Sequence, residues 1–85
     1  DYQVTAELGI VRLHQKRLPE AIALLREAVR GDPAYGKAWR FLTEAYREAG
    51  DVRALLAACE AWTRALPQDA EARTRLATVR AYLHQ

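Results

Sequence analysis

The chain has little of what small catalytic or disulfide-bonded domains depend on. It holds one cysteine, Cys59, so no disulfide can close within it, and that thiol, His14 and His84 lack the spacing of a zinc site. No nucleophile–base–orienter set, paired acid cluster or glycine-rich phosphate loop occurs, which leaves catalysis, cofactor binding and metal binding without candidate residues. No apolar run approaches the roughly 18 residues that suggest a membrane span. No signal-like leader is evident, and the first residue is Asp1 rather than Met, which reads as a fragment of a longer protein or a processed one. The compartment stays open; the cytoplasm is weakly favoured and the periplasm is compatible. Charge of one sign is scarce too. Thirteen basic and 11 acidic residues leave a net charge of +2, and the signs are interspersed, as in Arg26-Glu27 and from Glu44 to Glu48. That pattern is a solvated surface rather than a phosphate-binding stripe.

What is present is helix-forming. Of 85 residues, 51% are apolar, mostly Ala and Leu, with only four glycines and three prolines. Local propensity therefore favours helix nearly throughout a single small domain. Such a domain buries only about 60% of the surface its unfolded chain exposes, too little for a large catalytic cleft. Leu8, Leu42 and Leu76 recur at one constant interval, and Pro33 and Pro67 keep the same interval. A period of that length belongs to stacked helical units.

The pass along the chain gives five helices. From Gln3 to about Gln15, Val4, Leu8 and Val11 with Gly9 fall on one side at three- and four-residue steps, the stripe expected to face the core. Pro19 suits the first turn of a second helix whose apolar stripe is Ala21, Ile22, Leu25, Ala28 and Val29, ending near Gly31-Asp32-Pro33. The short segment Lys16-Arg17-Leu18 forces these two helices antiparallel. A like pair follows. Its first helix starts at Lys37 and carries Ala38, Trp39, Leu42, Ala45 and Tyr46; Gly50 and Asp51 then supply a left-handed C-cap and an N-cap. Its second helix turns Leu55, Leu56, Cys59, Trp62 and Thr63 inward until Pro67, and a last helix runs from about Ala70 to Leu83.

These residues resemble the tetratricopeptide repeat, a helical pair that carries W-x2-L-G-x2-Y, then A-x3-F, then A and P. The first unit, 2–35, matches at Leu8, Gly9, Ala21, Leu25 in the aromatic slot, Ala28 and Pro33. The second, 36–69, matches at Trp39, Leu42, Tyr46, the Gly50-Asp51 turn and Pro67; 70–85 supplies a third first-helix or a C-terminal cap, with Arg73 and Arg80 where the second unit has Trp39 and Tyr46. Thr5 and Arg12 replace aromatics, Lys16-Arg17 replaces Gly-Asp, and Leu55 and Trp62 occupy slots that usually hold alanine. Their added volume should push the neighbours of the second unit's second helix apart locally and change the inter-repeat angle there. The resemblance implies an all-α, right-handed superhelix of antiparallel hairpins in a single domain, 1–85.

It also implies a concave groove made by the first helix of each unit. By slot, that groove holds Gln3, Ala6, Ile10, Leu13 and His14, then Lys37, Arg40, Glu44 and Arg47, then Glu71, Thr74, Thr78 and Tyr82. Its composition runs from apolar through basic to hydroxyl-bearing and aromatic. The carboxylate clamp of some family members is absent, because Ala6, Ile10, Arg40, Glu44, Thr74 and Thr78 occupy its slots. Arg40 and Glu44, four apart, are expected either to pair with each other or to leave Arg40 and Arg47 for an acidic partner. Trp39, Tyr46 and Cys59 are expected in the core, the thiol inert, and His84 beside a helix C-terminus.

The resulting expectation is a non-enzymatic protein-interaction module whose groove docks a peptide or helix of mixed apolar and acidic character, as scaffold or adaptor within a larger protein. The alternatives are a spacer or self-assembling segment of a longer solenoid, or a regulatory docking domain of an enzyme encoded elsewhere in the chain. No small-molecule substrate or membrane insertion is expected, and self-association is compatible. The absence of aromatics between the groove arginines disfavours nucleic acid.

Overall fold

The computed structural model describes residues 1–85 as five α-helices joined by short turns, with no strand: α1 (Tyr2–His14), α2 (Leu18–Gly31), α3 (Gly36–Ala49), α4 (Val52–Ala65) and α5 (Ala70–Leu83). The starts of α1, α3 and α5 are equally spaced, and those of α2 and α4 keep the same interval. Two antiparallel hairpins therefore follow one another, with α5 laid against the second. The body measures 36 × 26 × 15 Å.

Each boundary has a local cause. The carboxylates of Asp1, Asp51 and Asp69 accept first-turn N–H groups at the starts of α1, α4 and α5, satisfying donors that a helix leaves orphaned. The α2 start has no such cap, and Pro19 at its first turn needs none. Gly50 ends α3 with φ 73°, the left-handed region that glycine enters without a Cβ penalty. At the same point after α1, Lys16 takes φ 63°. That conformation costs a side-chain-bearing residue about 1 kcal/mol, and the Lys16 ammonium lies 3.1 Å from Glu48.

The two hairpins pack differently. α1 rides close on α2, because Gly9 presents no side chain there; a Cβ on it would stand 2.9 Å from Leu25 Cγ. α3 stands farther from α4, with Leu55 and Trp62 filling slots held in the first hairpin by Ala21 and Ala28. The two larger side chains thus sit in the looser of the two hairpins, while α4 meets α5 about as closely as α2 meets α3. Trp62 is 1% exposed, and its Nε1–H donates to Asp69 Oδ2 at 3.0 Å, so the indole reaches a partner without leaving the core.

One expectation is overturned. Val4, Leu8 and Val11 face solvent, while Ala6, Gly9, Ile10 and Leu13 are the buried face of α1. Helix α1 is covered by α2 and α3 on that side and by nothing on the other. The apolar stripe at 4, 8 and 11 therefore has no neighbour to bury it.

Candidate functional site

The open face follows α1, α3 and α5. Of the residues placed on it by slot, Ala6, Ile10 and Leu13 belong instead to the hydrophobic core, where α3 closes over them. The apolar third of the expected groove is thus packing rather than surface. Gln3 and His14 are exposed, and the His14 ring meets Phe41 edge-on with centroids 6.3 Å apart. Lys37 bridges back to Glu7 at 2.9 Å, and Tyr35 donates its hydroxyl to the same carboxylate at 3.1 Å. The Lys37 ammonium, with the Tyr35 hydroxyl second, holds the Glu7 carboxyl below its ordinary range.

Between α3 and α5 the charges form a chain. Arg40 reaches Glu71 at 3.8 Å rather than pairing with Glu44, and its guanidinium lies 5.3 Å from the Phe41 ring centroid. Glu44 takes Arg47 on its own helix and Arg75 at 3.6 Å from α5. Arg75 also holds Glu71 at 3.1 Å and approaches the Thr43 hydroxyl at 3.4 Å. Three guanidiniums therefore share two carboxylates, leaving one positive charge in surplus along this edge. Hydrogen bonding from Arg47 lowers the Glu44 carboxyl below its ordinary range, outweighing the opposing effect of its partial burial.

Beyond these ion pairs lies an apolar cleft of about 400 Å³, bounded by the end of α3, the start of α4 and the end of α5. Leu55, Val52 and Val79 line it with Tyr46 and Tyr82, and Arg47, Gly50 and Thr78 complete its wall. It continues over Leu55 toward Thr43, Glu44 and Arg75. α1 packs directly on α3, whereas α3 and α5 meet largely through the ion pairs, and that gap is the cleft. Tyr82 is exposed and supplies a ring to any occupant. Thr74 and Thr78 donate their hydroxyl protons to Ala70 O and Thr74 O of their own helix.

Of the slot-based set, the structure brings Arg47, Thr78 and Tyr82 together at this cleft, with Arg40 and Glu44 along the adjoining edge; Lys37, Thr74 and His14 lie apart from it. Sequence reasoning missed Arg75, Leu55, Val52 and Val79 as cleft residues. Arg75 carried a signal in standing four residues after Glu71, the spacing of a helical ion pair. Trp39, Tyr46 and Cys59 are buried, and burial raises the Cys59 thiol pKa. Trp39 Nε1–H donates to Pro33 O at 2.8 Å; at the matching place one repeat later, Arg73 donates to Pro67 O at 2.7 Å, so an exposed guanidinium stands in for the buried indole. His84 caps the C-terminus of α5.

Another hollow of about 460 Å³ opens under Tyr2, with Arg26, Glu27 and Arg30 on its wall and only Tyr2 and Ala23 as apolar side chains. No group of three His, Cys, Asp or Glu residues converges as a metal site would, and no helix is long and apolar enough to cross a membrane. A family model described as Tetratricopeptide repeat matches residues 12–81. No curated protein matches the chain.

Proposed function

Because the chain belongs to the tetratricopeptide repeat family, typically a non-catalytic repeat of protein–protein interaction, we propose that it is the docking part of a scaffold or adaptor and that its ligand is a peptide anchored between α3 and α5. The observation that carries this reading is the cleft: an apolar floor of Leu55, Val52 and Val79 beside Arg47 and a surplus guanidinium charge. A space of about 400 Å³ suits one or two large apolar side chains. The ligand is then a segment in which Leu or Phe is followed closely by Asp or Glu.

The magnitudes favour a modest affinity. The cleft and its edge offer far less than the roughly 800 Å² per partner of a standard interface. The ion pairs already made by Arg47 and Arg75 must be shared with the incoming acid, so charge contributes more to selectivity than to tightness. A dissociation constant of tens of micromolar, about −6 kcal/mol, is the expected scale.

The test is a fluorescence-anisotropy titration with labelled ten-residue peptides that place Phe or Leu next to two Glu. Arg47→Glu and Tyr82→Ala should each weaken binding at least about fivefold while the circular-dichroism spectrum is unchanged. Unchanged affinity in both variants, or equal binding of peptides with Lys in place of Glu, would remove the reading.

A further inference from the structure

The ion pairs divide the helices into two classes. On α1, α3 and α5 every Lys and Arg has a carboxylate or a carbonyl oxygen within reach, as Arg40 has Glu71 and Arg73 has Pro67 O. On α2 and α4 none has: Arg26, Arg30, Arg53 and Arg64 are exposed and make no ion pair. The acids of these two helices do not serve them. Glu60 turns to Arg80 on α5, Glu20 turns to Arg12 and Arg17, and Glu27 lines only the hollow under Tyr2.

The four free guanidiniums border one feature. α2 and α4 hold the same slot in successive units, so they run side by side, both resting on α3 and scarcely touching each other. Between them lies a trough of about 430 Å³. Its floor is Val29 with Trp39 and Leu42 of α3, its α4 wall is Ala54, Ala57 and Ala58, and Arg26 and Arg30 form the opposite rim. Arg53 stands one turn before Ala57 and Arg64 two turns after it, so positive charge flanks the trough on both sides.

We propose that this trough is a second docking surface and that it takes an acidic amphipathic helix of a partner protein, laid along α2 and α4 with its apolar stripe down and carboxylates on both flanks. It is separate from the peptide cleft. Leu55 of α4 faces the cleft while Ala54 and Ala58 face the trough, and Tyr46 alone lines both.

Charge and shape together select the occupant. Arg26 and Arg30, one turn apart on a helix, match two carboxylates at the same spacing on a facing helix, whereas an extended strand would turn every second side chain away from the floor. From Arg53 to Arg64 is about 16 Å along α4, so the partner helix needs at least three turns. A small anion would leave the apolar floor unused. A nucleic acid would find no ring to stack on, because Trp39 and Tyr46 are 7% and 9% exposed.

The experiment uses the whole chain and a labelled, helix-forming 16-residue peptide whose leucine stripe is flanked by Glu on both sides. Fluorescence anisotropy should show saturable binding that weakens as salt is raised, and amide shifts should centre on Val29, Ala54, Ala57 and Ala58. Arg26→Glu with Arg30→Glu should weaken binding at least about tenfold, and Ala57→Glu at least about fivefold. These positions are exposed, and an unchanged circular-dichroism spectrum checks the fold. Arg47→Glu, which disables the peptide cleft, should leave this binding unchanged, so the two sites fail separately. Equal affinity for a peptide of the same composition with its leucine stripe scrambled, or no response to the Arg26 and Arg30 changes, would overturn the proposal. So would tighter binding of a single-stranded oligonucleotide that those changes abolish, or a dimer in analytical ultracentrifugation that they dissolve, since the trough would then belong to a nucleic acid or to a second copy.

Discussion

The first hairpin is held shut by an absence and the second is held apart by a presence. Gly9 lets α1 settle against Leu25, with Ala21 and Ala28 beneath; in the second unit the same slots hold Thr43, Leu55 and Trp62, and α3 stands off α4. Helix lengths and the intervals between helix starts hardly differ. Side-chain volume at a few slots therefore sets how widely a hairpin opens, while the repeat sets only where its helices lie. The wider hairpin is also the one beside the apolar cleft, where Leu55 serves as floor.

The contrast can be broken first at its largest side chain. Trp62→Ala should destabilise the chain by about 3–5 kcal/mol, because the indole fills the core between the second hairpin and α5 and its loss also strands Asp69 Oδ2; chemical denaturation measures it. Gly9→Thr, which gives the first hairpin the second one's residue, should cost about 1–3 kcal/mol, since its Cβ meets Leu25 at 2.9 Å. A small effect there would mean that the closeness of α1 to α2 does not rest on Gly9. Gly50→Ala should cost about 1 kcal/mol by backbone strain alone, because a Cβ there meets nothing within 4 Å.

The smallest expected effect is electrostatic and concerns how α5 is joined to α3. The folded Glu44 carboxyl has a lowered pKa, so its contribution is complete above the unfolded carboxylate range and is lost as pH falls through the folded value. Glu7, between α1 and Lys37, follows the same sign. Melting temperature should therefore drop on the acid side of the ordinary carboxylate range, and Glu44→Gln should flatten part of that slope. A slope of opposite sign would contradict the ion-pair assignment.

Most of the fold was legible because propensity, caps and period agreed. Five helices, the Gly50-Asp51 turn, the buried Trp39 and Tyr46, and the loosening of α3 from α4 at Leu55 and Trp62 all follow from residues that leave few alternatives. The face of α1 did not follow. Val4, Leu8 and Val11 share the i, i+4, i+7 spacing of Ala6, Ile10 and Leu13, so periodicity fits both stripes equally and only the neighbours decide which is covered. The groove assignment failed in its apolar third for the same reason. The Arg40–Glu44 pairing was displaced because α5 brings Glu71 and Arg75 within reach, a tertiary contact that no local spacing encodes.

The most direct measurement is a nuclear magnetic resonance titration of the whole chain with a Phe-Glu-Glu-containing peptide. Amide shifts should concentrate at Tyr46, Leu55, Val79 and Tyr82, with the tight α1–α2 contact around Gly9 and Leu25 silent. Shifts centred on α1 and α2, or none at millimolar peptide, would contradict the claim that the opened second hairpin is where this protein meets its ligand.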